Sequence, residues 1–142
     1  MTLVIMLTIS TNAQCLFGLD GGGSLTRYRL LPIPGWQMLL AKDVACLSIA
    51  LLLTAPLSPL AGSAAALMVL TTGHHVSVTR YCEQTRWRFQ SGASFGSSLG
   101  QIILMILAAI GTAYAGPLML PPCVAAYVWS TWWFGRTLDG AF

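Results

Sequence analysis

Residues 38–78 read MLLAKDVACLSIALLLTAPLSPLAGSAAALMVLTTGHHVSV. Two apolar runs, about 38–55 and 60–78, are parted only by Pro56-Leu57-Ser58-Pro59. Eighteen helical residues rise roughly 27 Å, close to the apolar thickness of a bilayer. The apolarity is continuous rather than alternating, which argues for helices and against barrel strands. Prolines this close together cannot sit inside an unbroken helix, because each removes a backbone donor and clashes with the preceding turn. The stretch therefore predicts two helices joined by a tight turn, each able to satisfy its own backbone groups in lipid.

The same signal extends in both directions. Further apolar segments occupy about 1–18, 99–115 and 118–134, giving about five spans. Met1–Ile9 lacks the basic flank of a secretory signal, and Asn12-Ala13-Gln14-Cys15 is a poor lipoprotein cleavage site, so the first segment reads as a retained helix. Gly116-Pro117 and Pro121-Pro122 both break the last apolar stretch, and the turn is placed at either site. Composition agrees. Of 142 residues, 56% are hydrophobic and 8% charged, too few charges to cover a soluble surface. The fold class is an all-α, polytopic transmembrane helix bundle forming a single domain over 1–142.

The charges sort by loop. Arg27, Arg29 and Lys42 flank the first connection, about 19–37; Arg80, Arg86 and Arg88 lie in the third, about 79–98; Arg136 follows the last segment. The Pro56–Pro59 turn and the region 116–122 hold no Lys or Arg. This alternation is the positive-inside pattern. It predicts a multi-pass protein of the cytoplasmic (inner) membrane, with both basic loops and the C-terminus inside and the N-terminus outside. A re-entrant hairpin over the last two segments would put Arg136 outside and is disfavoured. Trp36, and Trp129, Trp132 and Trp133, fall at the ends of spans where indole rings meet headgroups. The net charge of +3 does not indicate nucleic acid, because the basic residues are parted by apolar runs.

Sites of chemistry are sparse. Cys15, Cys46, Cys82 and Cys123 have no metal-ligand spacing and read as small apolar residues. His74 and His75 are adjacent, so on a helix they point about 100° apart and would not chelate one metal together. They read as structural or interfacial, although an ionisable residue inside a membrane is a candidate for function. The spans show no acidic pair, no Ser/His arrangement on a shared face and no metal cluster, so no catalytic residue, cofactor or metal is expected. Small residues at 61–66 and at 108, 109, 111, 113 and 115 suit close helix packing.

The first basic loop carries a fuller pattern. It runs Phe17-Gly18, Asp20, Gly23, Arg27, Leu30-Leu31-Pro32, and the next helix opens Leu39-Leu40, Lys42, Ala45. This order resembles the permease subunits of type-2 ABC exporters, in which a loop of the form FG-D-x-x-G-F-R-x-L-L-L-x-P precedes a helix beginning LL-G-K-N-x-A. Ala41 and Asp43 depart from it, standing where Gly and Asn are usual. The match covers roughly a fifth to a quarter of the chain; the remainder agrees only in being apolar helix. The resemblance implies a permease, or a C-terminal portion of one, that works with a separate ATP-binding subunit, as a homo- or heterodimer or within a longer chain. The ATPase-coupling loop would then be built on Asp20, Gly23, Arg27, Arg29, Leu30, Leu31, Pro32 and Lys42. No Walker A motif is present: Gly21-Gly22-Gly23-Ser24 has no following Lys. The alternative is a small non-transporting membrane protein with an accessory or assembly role.

Overall fold

The computed structural model describes residues 1–14, 33–79, 83–85, 88–90 and 94–140. The chain forms helices α1 (Thr2–Ala13), α2 (Gly35–Thr54), α3 (Pro59–Thr79), α4 (Phe95–Ala115) and α5 (Leu120–Gly140). A 3₁₀ turn, Gly116–Met119, joins the last two. Two three-residue strands, β1 (Glu83–Thr85) and β2 (Arg88–Gln90), pair antiparallel with Glu83 opposite Gln90. The fold is otherwise helical. Two stretches, Gly35–Thr54 and Phe95–Asp139, are long and apolar enough to cross a membrane.

Local chemistry fixes the ends. Pro34, with φ −65° and ψ 143°, sits extended just before α2, so the helix opens at Gly35 rather than at 38. The α2–α3 turn closes with the amides of Leu57 and Ser58 both donating to the Thr54 carbonyl at 3.0 Å. Ser58 then receives the Gly62 amide at 2.9 Å, and Pro59 takes the first helical position, where a missing N–H costs nothing. Ser94 caps α4 by accepting from the Ser97 amide at 3.3 Å, starting that helix earlier than 99. Of the two candidate breaks after α4, the chain turns at the first: Gly116 has φ +59°, which side-chain-bearing residues avoid. Pro121 and Pro122 lie in the first turn of α5, where proline is tolerated, and α5 continues to Gly140.

Packing centres on α3. Asp43 meets His74 while Thr54 lies against Gly62, so α2 runs antiparallel to α3. Gln101 reaches the Val69 carbonyl while Ala108 packs with Ala64, so α4 is antiparallel too. Cys123 packs beside Ala64 and Leu67 while Ser130 bonds the Thr71 carbonyl, so α5 runs parallel to α3. Met6 packs in the core with Ala66 and Leu70, and Ala13 crowds Gly73, so α1 is parallel as well. In consequence the α2–α3 and α4–α5 turns share one end of the bundle. The connections from α1 to α2 and from α3 to α4 leave from the other, with the end of α5.

The bundle is inverted relative to a soluble protein. Its outside carries Leu52 (77% exposed), Phe95, Leu107, Tyr114 (89%), Leu118 and Trp129. Its inside holds Gln14, Asp43, Thr54, His74, Ser77, Gln101, Thr112, Ser130 and Thr131 alongside small and aliphatic residues. Water would penalise that exterior far beyond the few hundred Å² of apolar patch usual on soluble monomers, whereas lipid accepts it.

Candidate functional site

Buried positions on α2 follow Leu39, Asp43, Ala50, Thr54; on α3, Leu67, Leu70, His74, Ser77; on α5, Cys123, Ser130, Leu138. Steps of three, four, seven and eight residues keep each set on one helix face. Asp43, His74 and Ser130 are polar members of these otherwise packing faces, and Tyr127 lies one turn before Ser130. They converge where α2, α3 and α5 meet. Asp43 lies eight residues into α2, about 12 Å from its start by helical rise.

The geometry is a chain of short hydrogen bonds. His74 Nε2 lies 2.7 Å from Asp43 Oδ2, with both side chains essentially inaccessible. The Tyr127 hydroxyl donates to the same carboxylate oxygen at 2.9 Å. His74 Nδ1 lies 2.9 Å from Ser130 Oγ, which is also 2.9 Å from the Thr71 carbonyl oxygen. The Tyr127 and Phe134 rings flank the imidazole, with centroids at 5.8 and 6.5 Å. Among the described residues, Asp43 Oδ1 is buried without a hydrogen-bond partner.

A second polar layer lies toward the loop end. Lys42 donates to the Ala13 carbonyl at 2.8 Å and lies 3.5 Å from Ser77 Oγ. The ammonium thus meets the C-terminal carbonyls of α1, where the helix dipole favours a cation. Gln14 bonds Gln101 across α1 and α4, and Gln101 also donates to the Ser10 carbonyl at 3.2 Å. These bonds tie α1 to the rest of the bundle.

The expectation of no Ser/His arrangement concerned a shared helix face, and the arrangement found is assembled between helices. Ser130, His74 and Asp43 form a connected Ser–His–carboxylate series, drawn from three helices 31 to 56 residues apart in sequence. Sequence inspection looks along one helix and misses such a convergence. The available signal was Asp43, His74 and Ser130 each falling in register with buried neighbours. The order of groups matches a hydrolase triad, but Ser130 is buried and its oxygen is shared between the imidazole and the Thr71 carbonyl. An outer groove of about 960 Å³, along Pro117, Pro121, Val128 and Trp132, lies on the opposite, exposed face of α5. A small core void of about 10 Å³ is lined by Met6, Cys46, Ala66 and their neighbours.

His74 and His75 diverge as their spacing requires. His75 is exposed, its ring against Phe134 at 5.8 Å. Among the described residues no group of three or more metal-ligating side chains occurs. Of the expected coupling residues, Lys42 sits in the second polar layer. Asp20, Gly23, Arg27, Arg29, Leu30, Leu31 and Pro32 lie outside the described residues, as do Cys15 and Cys82. The exit of their loop is described. The Gly35 amide donates to Asp139 Oδ1 at 2.6 Å, tying the start of α2 to the end of α5. A Cβ on Gly35 would meet the Gly135 carbonyl at 2.7 Å, and one on Gly135 would meet Trp36 at 2.8 Å. Compared with protein-family models, with curated proteins and with solved structures, the chain matches none.

Proposed function

We propose that this chain is the membrane-spanning permease part of an ATP-driven exporter and works with a separate ATPase. In this reading it crosses the membrane about five times, with its basic end in the cytoplasm. Two things support it: the loop resemblance, and the fastening of that loop's exit to the bundle. The fastening carries the argument. A loop pushed by a partner transmits force only if its ends are anchored to helices that move together. Here the segment after Pro34 is clamped to α5 through Gly35–Asp139 and through the Gly35/Gly135 approach. The other end of the connection follows α1, whose Ala13 carbonyl is held by Lys42 on α2. Load on residues 19–32 would therefore reach α1, α2 and α5 at once.

The chain has no Walker A sequence to cradle phosphate, so the reading requires a second subunit. Photo-crosslinkers placed at positions 25–31 in native membranes should trap a protein bearing a Walker A motif, and the purified chain alone should hydrolyse no ATP. Repeated failure to capture any ATPase, with the chain present and inserted, would replace this reading with the accessory-protein one.

A further inference from the structure

We propose that His74, held between Asp43 and Ser130, is a proton-binding site of the helix bundle that takes up and releases one proton as the Ser130 hydroxyl hydrogen swings between the ring and the Thr71 carbonyl. The inference stands on the network's geometry and not on the exporter reading.

Hydrogen-bond accounting carries it. With Asp43 as a carboxylate, its Oδ2 accepts from both the Tyr127 hydroxyl and His74 Nε2, and Nε2 then bears a hydrogen. That leaves Nδ1 to Ser130. The serine has one hydroxyl hydrogen and two acceptors at equal reach, Nδ1 and the Thr71 carbonyl, both at 2.9 Å. With a neutral ring, Ser130 donates to bare Nδ1. When a proton arrives from water, it binds Nδ1, the new N–H donates to Ser130 Oγ, and the serine hydrogen swings to the Thr71 carbonyl. The ring becomes an imidazolium beside the Asp43 carboxylate. Release reverses each step and returns the proton to water. The Ser130–Thr71 hydrogen bond is made only with the charged ring, while the bonds of His74 to Asp43 and to Ser130 persist in both states. A histidine serving only to fill space needs one such arrangement; here a rotatable hydroxyl is placed to serve both.

Asp43 supplies a second observation. Its Oδ1 is buried and has no partner among the described residues. Such an oxygen is costly when it serves packing alone, while it leaves the carboxylate able to respond to a charge on the ring. Among the described residues, the charged and titratable groups around the site are few. On α2 they are Asp43, Lys42 toward Ser77, and Cys46 one turn away; on α5, Tyr127, with Arg136 stacked outside on Trp132. His75 on α3 is turned to Phe134. Residues 2–13 of α1 carry no ionisable side chain, and α4 carries only Tyr114, near its far end.

The test is ring-¹⁵N NMR of histidine-labelled protein in lipid nanodiscs, in a His75→Gln background that leaves a single histidine. Spectra from about pH 5 to about pH 9 cover the range over which histidine ordinarily changes charge. The expected result is a one-proton transition in which Nε2 stays protonated throughout and only Nδ1 changes, with helicity and elution volume constant. Asp43→Asn should weaken proton binding at least about tenfold, because a carboxylate at this distance favours the charged ring. An unchanging Nδ1 in folded protein, exchange at Nε2 instead, or an unmoved transition in Asp43→Asn would overturn the proposal. If Asp43→Asn fails to fold, the spectra of the His75→Gln protein decide alone.

Discussion

Asp43 shows how little a side chain's type reveals until its partners are known. In the sequence it follows Lys42 near the start of an apolar run and stands where the resembled permeases usually have Asn. In the bundle it is 1% exposed and hydrogen-bonded to two other helices. Removing one member of a buried pair strands the other, which costs about 3–5 kcal/mol, whereas replacing both with apolar groups costs far less. Asp43→Ala and His74→Leu should each lower stability by several kcal/mol in detergent-denaturant titrations. The double variant should lose much less than the sum of the two. Strictly additive losses would show that the 2.7 Å contact contributes no coupling. Residue identity and helical register were legible here: both polar groups occupy buried-face positions. The partnership was not, because it depends on which helices become neighbours.

At the scale of elements, turn chemistry was the most legible feature. The Pro56–Pro59 turn lies where two prolines demanded it, and of two candidate breaks after α4 the glycine with φ +59° takes the reversal. Helix ends were less legible. Apolarity locates the part of a helix that suits lipid, whereas the helix continues while capping and backbone bonds allow. α2 thus starts at Gly35 and α5 extends to Gly140, beyond their apolar stretches. The paired strands 83–85 and 88–90 fall in a region read as basic interfacial loop. Close approach of α2 and α5 at Gly35 and Gly135 was not foreseen, since a glycine near Trp or Pro has many readings. Gly135→Leu would drive a side chain into Trp36 and force the helices apart. An overpacking cost of about 1–3 kcal/mol is expected. Hydrogen exchange at the Gly35 amide, which donates to Asp139, should quicken in that variant. Unchanged exchange would mean the α2–α5 clamp is not set by this contact.

For the whole molecule, the packing supplies a constraint that charge counting alone does not. Parallel α1, α3 and α5 with antiparallel α2 and α4 gather the short turns at one end. The segments bearing Arg27, Arg29, Arg80, Arg86 and Arg88 connect helices at the other, where Arg136 and Asp139 also lie. If the bundle crosses the membrane, both turns must face one compartment together, and the basic rule places that compartment outside. Leu57 and Leu118 are exposed at the turn end, and Thr137 is exposed at the basic end. In a cysteine-free background, Leu57→Cys and Leu118→Cys should react with a membrane-impermeant maleimide on intact cells. Thr137→Cys should react only after the membrane is opened. The reverse pattern would invert the orientation and remove any cytoplasmic ATPase from the first loop. Labelling of position 57 but not 118 from outside would be more damaging. It would separate two turns that the packing around α3 holds at the same end, and the five-helix arrangement itself would have to be abandoned.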